Sequence, residues 1–384
     1  MDDWKHGGFG VYVHWPFCQS KCPYCDFNSH VRQAVDQAHW RKALVQELRT
    51  NAELTGPRTV NTVFFGGGTP SLMEPETVRT VIEAIDDLWG LAPDAEITLE
   101  ANPTSVESNR FAGYVSAGVN RISIGIQALN DADLKALGRL HSTAEARQAY
   151  EVARKLFDRV SFDLIYARQH QSLSEWRKEL TEACNMAVDH LSLYQLTVEH
   201  DTRFGELHAK GRLRGLPNDD LAADMYELTQ EICNSFGMPG YEVSNHAPPG
   251  MECQHNLVYW RYGDYVGVGP GAHGRVTTDG KRLATVTERM PEGWLNSVDT
   301  QGHALVSSTA VDLADQADEC LMMSLRLSEG VDLSRISALS GRSISQGVLD
   351  ELISKNLLVQ NNDIIKATDS GKIILNWVLK ELLV

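Results

Sequence analysis

The stretch Cys18-Gln-Ser-Lys-Cys22-Pro-Tyr-Cys25 places three thiols on one short loop, in the pattern C-x3-C-x2-C. The loop is polar, carries Pro23, and directly follows a strand-like run, Val11-Tyr-Val-His-Trp15. Thiolates are soft ligands that suit iron–sulfur clusters. Three of them on a cubane of four irons leave one iron with an open coordination position, where a substrate can bind. A zinc site is the alternative reading, but structural zinc takes four protein ligands. No fourth cysteine follows at cluster spacing, because Asp26-Phe27 stand where one would be expected. The pattern therefore predicts a site-differentiated 4Fe–4S cluster on Cys18, Cys22 and Cys25.

Further polar residues stand at or inside apolar, strand-like segments. Phe65-Gly66-Gly67-Gly68-Thr69-Pro70 ends the second of these. Consecutive glycines let a backbone approach a ligand closely and adopt unusual dihedrals. Glu100 closes the third segment (Ile-Thr-Leu-Glu-Ala-Asn-Pro), Gln127 closes the fourth (Ser-Ile-Gly-Ile-Gln), and Asp163 lies in the fifth (Val-Ser-Phe-Asp-Leu-Ile-Tyr). Such groups are costly inside apolar strands unless paired. Singly, each reads equally well as a satisfied core polar group. Together with Arg139 they supply acceptors for an ammonium and for hydroxyls, and a cation for a carboxylate. Those are the needs of a zwitterionic ligand carrying a ribose. Downstream, His255-Asn-Leu-Val-Tyr259-Trp260 sets an imidazole among aromatic rings. Imidazole is a common axial ligand to haem iron, and aromatic faces stack on flat macrocycles. A lone histidine beside aromatics is more often a packed, hydrogen-bonded residue, and Cys253 and His273 are nearby alternatives.

The cysteine loop resembles the signature of the radical S-adenosylmethionine (SAM) superfamily. Its flanks, Tyr12-Val-His14-x-Pro16-Phe17-Cys18 and Cys22-Pro-Tyr24-Cys25-Asp-Phe-Asn-Ser, resemble the subgroup that holds oxygen-independent coproporphyrinogen III dehydrogenase and the HemW-type haem chaperones. The dehydrogenase group carries a further cysteine two residues after the third, whereas Phe27 stands here, as in the chaperone branch. His255–Trp260 resembles the HNxxYW element of that branch. The resemblance implies a cluster on Cys18, Cys22 and Cys25, with Gly67, Gly68 and Thr69 in the element that holds the amino group of SAM. It places Glu100, Gln127, Arg139 and Asp163 on SAM-binding positions, Tyr12 and Tyr24 beside the adenosyl group, and His255 as the candidate haem ligand. One departure is plain. The family usually reads Asp-Leu-Ile-Tyr-Gly-Leu-Pro along the fifth strand, and this chain reads Asp163-Leu-Ile-Tyr-Ala167-Arg168-Gln169.

The elements that must position these residues follow from periodicity. Val11–His14, Thr62–Phe65, Ile97–Glu100, Arg121–Ile126, Val160–Ile165 and Leu191–Leu196 read as strands, with amphipathic helical patterns such as Trp40, Leu44 and Leu48 between them. Six βα repeats predict an α/β fold, a parallel sheet curled into a partial (βα)6 barrel, with ligands at the carboxyl ends of the strands. Three regions are expected: 1–200, the barrel with the cluster and SAM sites; 201–304, a barrel extension carrying the His255 element; and 305–384, a C-terminal unit. In that unit a helix around Leu321–Leu327 and helices over Leu333–Leu339 and Ser345–Lys355 precede two strands joined at Asn361-Asn362, in the order of a winged helix. Residues 331–384 hold six basic and six acidic side chains, so a docking or covering role is expected rather than DNA binding.

Composition narrows the partners. Among 384 residues, 35 are basic and 51 acidic, and the net charge of −16 repels polyanions and argues against a nucleic-acid substrate. The other cysteines (Cys184, Cys233, Cys253, Cys320) are scattered singly, as in a reducing cytosol. No basic-then-apolar leader opens the chain and no run of 18 apolar residues occurs, so a cytoplasmic location, with membrane association an option, is expected. The expected function is a radical-SAM haem chaperone that binds a 4Fe–4S cluster, SAM and haem. It would accept electrons from a donor, deliver haem to haem proteins such as membrane-bound respiratory enzymes, and have homodimerisation open to it. The alternative is coproporphyrinogen III dehydrogenase, in which SAM cleavage yields a 5′-deoxyadenosyl radical that abstracts hydrogen from propionate side chains.

Overall fold

The computed structural model describes residues 2–187 and 189–383. Six strands, β1 (Phe9–Trp15), β2 (Val60–Gly67), β3 (Leu91–Ala101), β4 (Arg121–Gln127), β5 (Arg159–Tyr166) and β6 (His190–Gln195), pair in sequence order and in parallel. Helices α1 (Gln37–Thr55), α2 (Pro75–Trp89), α3 (Thr143–Leu156) and α4 (Leu173–Met186) return the chain between strands. Each predicted strand lies within an observed one, except that Leu196 falls one residue beyond β6. The sheet curls into the partial barrel that the alternation of strands and helices predicts.

Residues 201–310 extend this same sheet at both edges. Helix α5 (Asp219–Ser235), capped by the Asn218 side chain on Leu221 N, leads to β7 (Asn245–His246), antiparallel to β6. Helix α6 (Gln254–Trp260) then leads to β8 (Asp264–Val268), which pairs in parallel with β1 on its free side. Strands β9 (His273–Thr278), β10 (Lys281–Thr287) and β11 (Leu305–Ala310) continue outward, antiparallel, with α7 (Pro291–Gln301) between the last two. Strand β8 lies in a glycine-rich run, residues 263–274, whose sequence shows no strand periodicity. Glycine is required there because the strand follows β1 so closely: a Cβ on Gly269, at φ +98°, would stand 2.2 Å from the His14 carbonyl oxygen.

The C-terminal unit has its own core, built on residues such as Leu321, Leu349, Ile365 and Val378. Its elements are α8 (Leu313–Ser324), β12 (Val331–Asp332), α9 (Leu333–Ser340), α10 (Gln346–Ser354), β13 (Leu358–Asn361), β14 (Ile364–Ala367), α11 (Asp369–Ile373) and α12 (Leu375–Leu382). Helix, strand, two helices and a two-stranded wing is winged-helix order. The first helix starts eight residues earlier than Leu321 because Asp312 caps it on Asp315 N. After the wing come two short helices broken at Ile374, and Thr368 caps the first by accepting from Gly371 N at 3.0 Å. No helix of the described residues is long and apolar enough to cross a membrane.

One buried acid locks the barrel wall to its extension. Glu47 on α1 is fully buried and accepts from Gly269 N (2.8 Å), Trp294 Nε1 (2.9 Å) and Ala304 N (3.0 Å). Burial pushes its carboxyl up to about 7. Removing it orphans three buried donors, each costing about 1–3 kcal/mol. Glu47→Ala is therefore expected to lose at least about 3 kcal/mol in urea unfolding, with Glu47→Gln losing less because an acceptor oxygen remains. Equal stability of the alanine variant and the wild type would contradict this role.

Candidate functional site

The chain leaves β1 at Trp15 and enters the cysteine loop at the carboxyl end of the barrel. Cys18 is buried in a two-residue strand, Phe17–Cys18, that pairs with His30–Val31. Cys22 and Cys25 are partly exposed and joined by the bond from Cys25 N to Cys22 O, 3.2 Å. All three are free thiols. Thr69 Oγ1 donates to Cys18 Sγ at 3.3 Å, Arg139 donates to Cys22 Sγ at 3.5 Å, and Ser29 Oγ lies 3.9 Å from Cys25 Sγ. Burial raises the Cys18 and Cys25 thiols above their ordinary range. Among the described residues, no group of three or more His, Cys, Asp or Glu side chains is arranged to hold a single metal ion.

One cavity gathers eleven of the thirteen residues singled out by sequence. The three cysteines and Tyr24 form its loop side, Gly67, Gly68 and Thr69 one rim, and Glu100, Gln127, Arg139 and Asp163 the strand-end side. Glu100 Oε2 accepts from Gly67 N at 3.3 Å. Burial, with Asp163 adding repulsion, pushes the Glu100 carboxyl up to about 8. Burial likewise raises Asp163 to about 6, against the opposing hydroxyls of Ser192 and Ser123. Arg139 donates to Asn102 Oδ1 (2.6 Å) and Gly125 O (2.8 Å), while its buried Nε has no partner among the described residues. Gln127 ends β4 at φ +73°, beside a break in the β4–β5 register. A non-glycine residue held there is strained, as residues at binding sites often are. Three free thiols, a buried guanidinium nitrogen without a partner and two acids short of counter-charge fit a soft cluster beside a zwitterionic ligand.

Two of the thirteen lie elsewhere. Tyr12 does not line the cavity; its ring stacks within the barrel on Phe64 and His255, and its hydroxyl meets His14 Nδ1 at 3.1 Å. His255 sits in α6, which plugs the opposite end of the barrel, next to Glu96 near the start of β3's buried stretch. It is buried, with Nδ1 against Thr62 Oγ1 (2.8 Å) and Nε2 against the Tyr259 hydroxyl (2.7 Å). Burial lowers it to about 3, so it is neutral. Both ring nitrogens are engaged, and the structure offers haem iron no free imidazole here. Cys253 is equally enclosed, its Sγ 3.5 Å from Glu96 Oε1.

The glycines are explained by packing rather than by room for a ligand. A Cβ on Gly66 would meet the Tyr12 ring at 2.9 Å, on Gly67 the His14 ring at 2.5 Å, and on Gly68 the Phe17 carbonyl oxygen at 2.8 Å. The departure at Ala167 preserves the backbone. Ala167 adopts φ +57°, the left-handed conformation that suits glycine, and so carries a strain of about 1–2 kcal/mol. Its neighbour Arg168 is buried between Asp133 and Glu179, each at 2.6 Å.

Sequence reasoning missed Asn102 and His14. Asn102 follows Glu100 by two positions, donates to Thr69 Oγ1 at 3.2 Å and accepts from Arg139, so it ties the Cys18 side to the Cys22 side. Its position in the quoted strand end was the signal. His14 passes from Tyr12 to the Asn28 carbonyl oxygen (2.9 Å), and Asn28 donates to Pro270 O and Arg289 O. The place of His14 in the Tyr12-Val-His14-x-Pro16 flank of the cysteine loop was the signal.

The electrostatics of the ligand-free cavity make a testable statement. The Glu100 pKa of about 8 in the fold exceeds the ordinary 4.5, so its contribution to stability is fully present below about 4.5 and lost as pH rises through 8. Stability of the ligand-free chain is expected to fall across that window. Glu100→Gln, which cannot ionise, should show a shallower fall, by at most about 1.4 kcal/mol per pH unit. Identical slopes in urea unfolding from pH 5 to 8 would contradict the assignment.

Comparison with known proteins agrees with this geometry. The family model described as the radical SAM superfamily matches residues 12–183, and that of the HemN C-terminal domain matches residues 311–374. The heme chaperone HemW of Escherichia coli K12 is 40% identical over 375 residues, covering 96% of this chain and 97% of that protein. The heme chaperone HemW of Bacillus subtilis 168 is 33% identical over 373 residues, 96% and 97% of the two chains. The mouse mitochondrial radical S-adenosyl methionine domain-containing protein 1 is 38% identical, over 97% of this chain and 87% of its own. The solved coproporphyrinogen III oxidase HemN of Escherichia coli, described as a radical SAM enzyme, superposes with a TM-score of 0.82 over 99% of this chain and 92% of that one. At 22% identity that likeness shows the fold. Cysteine loop, barrel and chain-long similarity together place this chain in the radical SAM superfamily, as a member of the HemW family.

Proposed function

We propose that this chain is a radical-SAM haem chaperone that holds a 4Fe–4S cluster and SAM, takes up haem and passes it to haem proteins such as respiratory enzymes. The observation that carries this reading is the chain-long identity, 40% and 33%, to two bacterial proteins named as heme chaperones. Phe27 supports it, standing 58% exposed at the cavity where the dehydrogenase group has its additional cysteine. Residues 1–200 would carry the cluster and SAM; the barrel extension runs to 310 rather than 304, because Leu305–Ala310 is the outermost strand of the sheet, and 311–384 would form a covering or docking module. The work would take place in the cytoplasm, with an electron donor for the cluster; contact with a membrane-bound acceptor and homodimerisation belong to the same reading.

The residues divide the work. Cys18, Cys22 and Cys25 would hold the cluster, which when bound supplies one-electron chemistry and an open iron. Glu100 would receive the ammonium of SAM, giving up its proton as that cation arrives. Arg139 would receive the carboxylate, each charged contact contributing roughly 1.5–3 kcal/mol. Asp163 and Gln127 would hold the ribose side, and Tyr24 would flank the adenine.

With the cluster reconstituted anaerobically, haem and coproporphyrinogen III are offered in parallel. The expected result is a haem absorption band at stoichiometric haem, and coproporphyrinogen III recovered unchanged with SAM and reductant present. Conversion of coproporphyrinogen III to decarboxylated product would move the chain to the enzyme class and overturn the proposal.

A further inference from the structure

His255 has both nitrogens engaged at the sealed end of the barrel, so the geometry points to another place for a haem-sized ligand. A groove of about 630 Å³ lies between the carboxyl ends of β5 and β6, α5 and the C-terminal unit, within the size range of small-molecule sites. Tyr166 and Tyr226 stand on its barrel wall; Ile373, Ile374 and Trp377 stand on its C-terminal wall. The last three are 38, 43 and 40% exposed, a local concentration of large apolar side chains in open solvent. Such patches mark binding surfaces more often than isolated exposed residues do.

Polar groups at the groove add direction. The Tyr226 hydroxyl is buried without a hydrogen-bond partner among the described residues. Buried polar atoms normally have partners, so an unpaired hydroxyl in the wall is a place for a ligand atom. The cations facing the groove, Arg326 and Lys372, both come from the C-terminal unit, and the acids facing it, Asp219 and Asp220, come from the start of α5. Arg326 has only Asn376 Oδ1 at 3.4 Å as a side-chain hydrogen-bond partner and reaches no carboxylate among the described residues. Lys372 stands 3.6 Å from Asp369, a side chain 97% exposed, and a pair so open to water contributes little. Two loosely held cations on one wall, aromatic and aliphatic faces between, and acids opposite suit a flat apolar ring system with carboxylates along one edge.

We propose that this groove is a haem seat. The macrocycle lies between the Tyr166–Tyr226 wall and the Ile374–Trp377 wall, its propionates toward Arg326 and Lys372 and away from Asp219 and Asp220. The proposal rests on the haem-chaperone reading and goes beyond it by naming where the cargo lies, away from the cluster cavity.

The test titrates ferric haem, and separately its dimethyl ester, into the full-length reconstituted protein, following the haem absorption band. Reversing both cations (Arg326→Glu with Lys372→Glu) should weaken haem binding about tenfold or more, because charge-assisted contacts to the propionates are lost. The ester, which has no carboxylates, should bind that variant and the wild type alike. Ala223→Trp, which fills the groove from α5, should weaken both ligands, and His255→Ala should keep wild-type haem affinity. Wild-type affinity in both groove variants would overturn the groove while leaving the chaperone reading intact, as would a loss confined to His255→Ala. Failure of the wild-type protein to bind haem at all would overturn the chaperone reading, and the groove with it.

Discussion

Everything at the candidate site hangs on how closely the Gly66–Gly68 turn approaches the start of the cysteine loop. Gly68 N donates to Trp15 O at 2.7 Å and Thr69 N to Phe17 O at 2.9 Å, so two stretches of backbone lie in direct contact. A side chain on any of the three glycines would collide with that contact or with the Tyr12 and His14 rings. From this single approach, Thr69 reaches Cys18, Gly67 N reaches Glu100, and the loop is held over the open ends of β1 to β5. The thiols and the acids face one cavity because the backbone leaves no alternative register.

The two ends of the barrel are treated in opposite ways. At the amino ends, the buried Arg121, Glu96 and His255 and the partly exposed Arg159 form a network, with Arg159 to Glu96 at 2.6 Å and Arg121 to Ser161 Oγ at 3.0 Å. Charges there are paired, as buried charges must be. At the carboxyl ends, Glu100 and Asp163 lack a direct cationic partner among the described residues and rise toward neutrality instead. An interior that pairs its charges at one end and leaves two acids waiting at the other is suited to a cationic ligand at the second.

Much of this was legible in the sequence, for identifiable reasons. The cysteine spacing and the apolar runs of β1 to β6 are strong signals because a parallel strand covered on both faces leaves little room for polar residues. Polar exceptions at strand ends pointed to Glu100, Gln127 and Asp163. Strand β8 was hidden because close backbone packing demands glycine, which carries no periodicity. For His255 the sequence gives the residue's chemistry but not the end of the barrel on which it falls, nor that Thr62 and Tyr259 engage both its nitrogens. Ala167 looked like a break in the pattern, yet a left-handed alanine costs little enough for the surrounding ion pairs of Arg168 to hold it. The groove beside Trp377 had no sequence signature at all, since its walls come from distant segments, Tyr166 and Tyr226 on one side and Ile374 and Trp377 on the other.

The central claim is that three thiolates leave one iron open, facing the residues that would hold SAM. The most direct measurement is the electron paramagnetic resonance spectrum of the reduced, reconstituted cluster with and without SAM. The account predicts that SAM changes the signal of the wild-type cluster, because SAM held by Glu100 and Arg139 would lie against the open iron. A 4Fe–4S signal that saturating SAM leaves unaltered would contradict it.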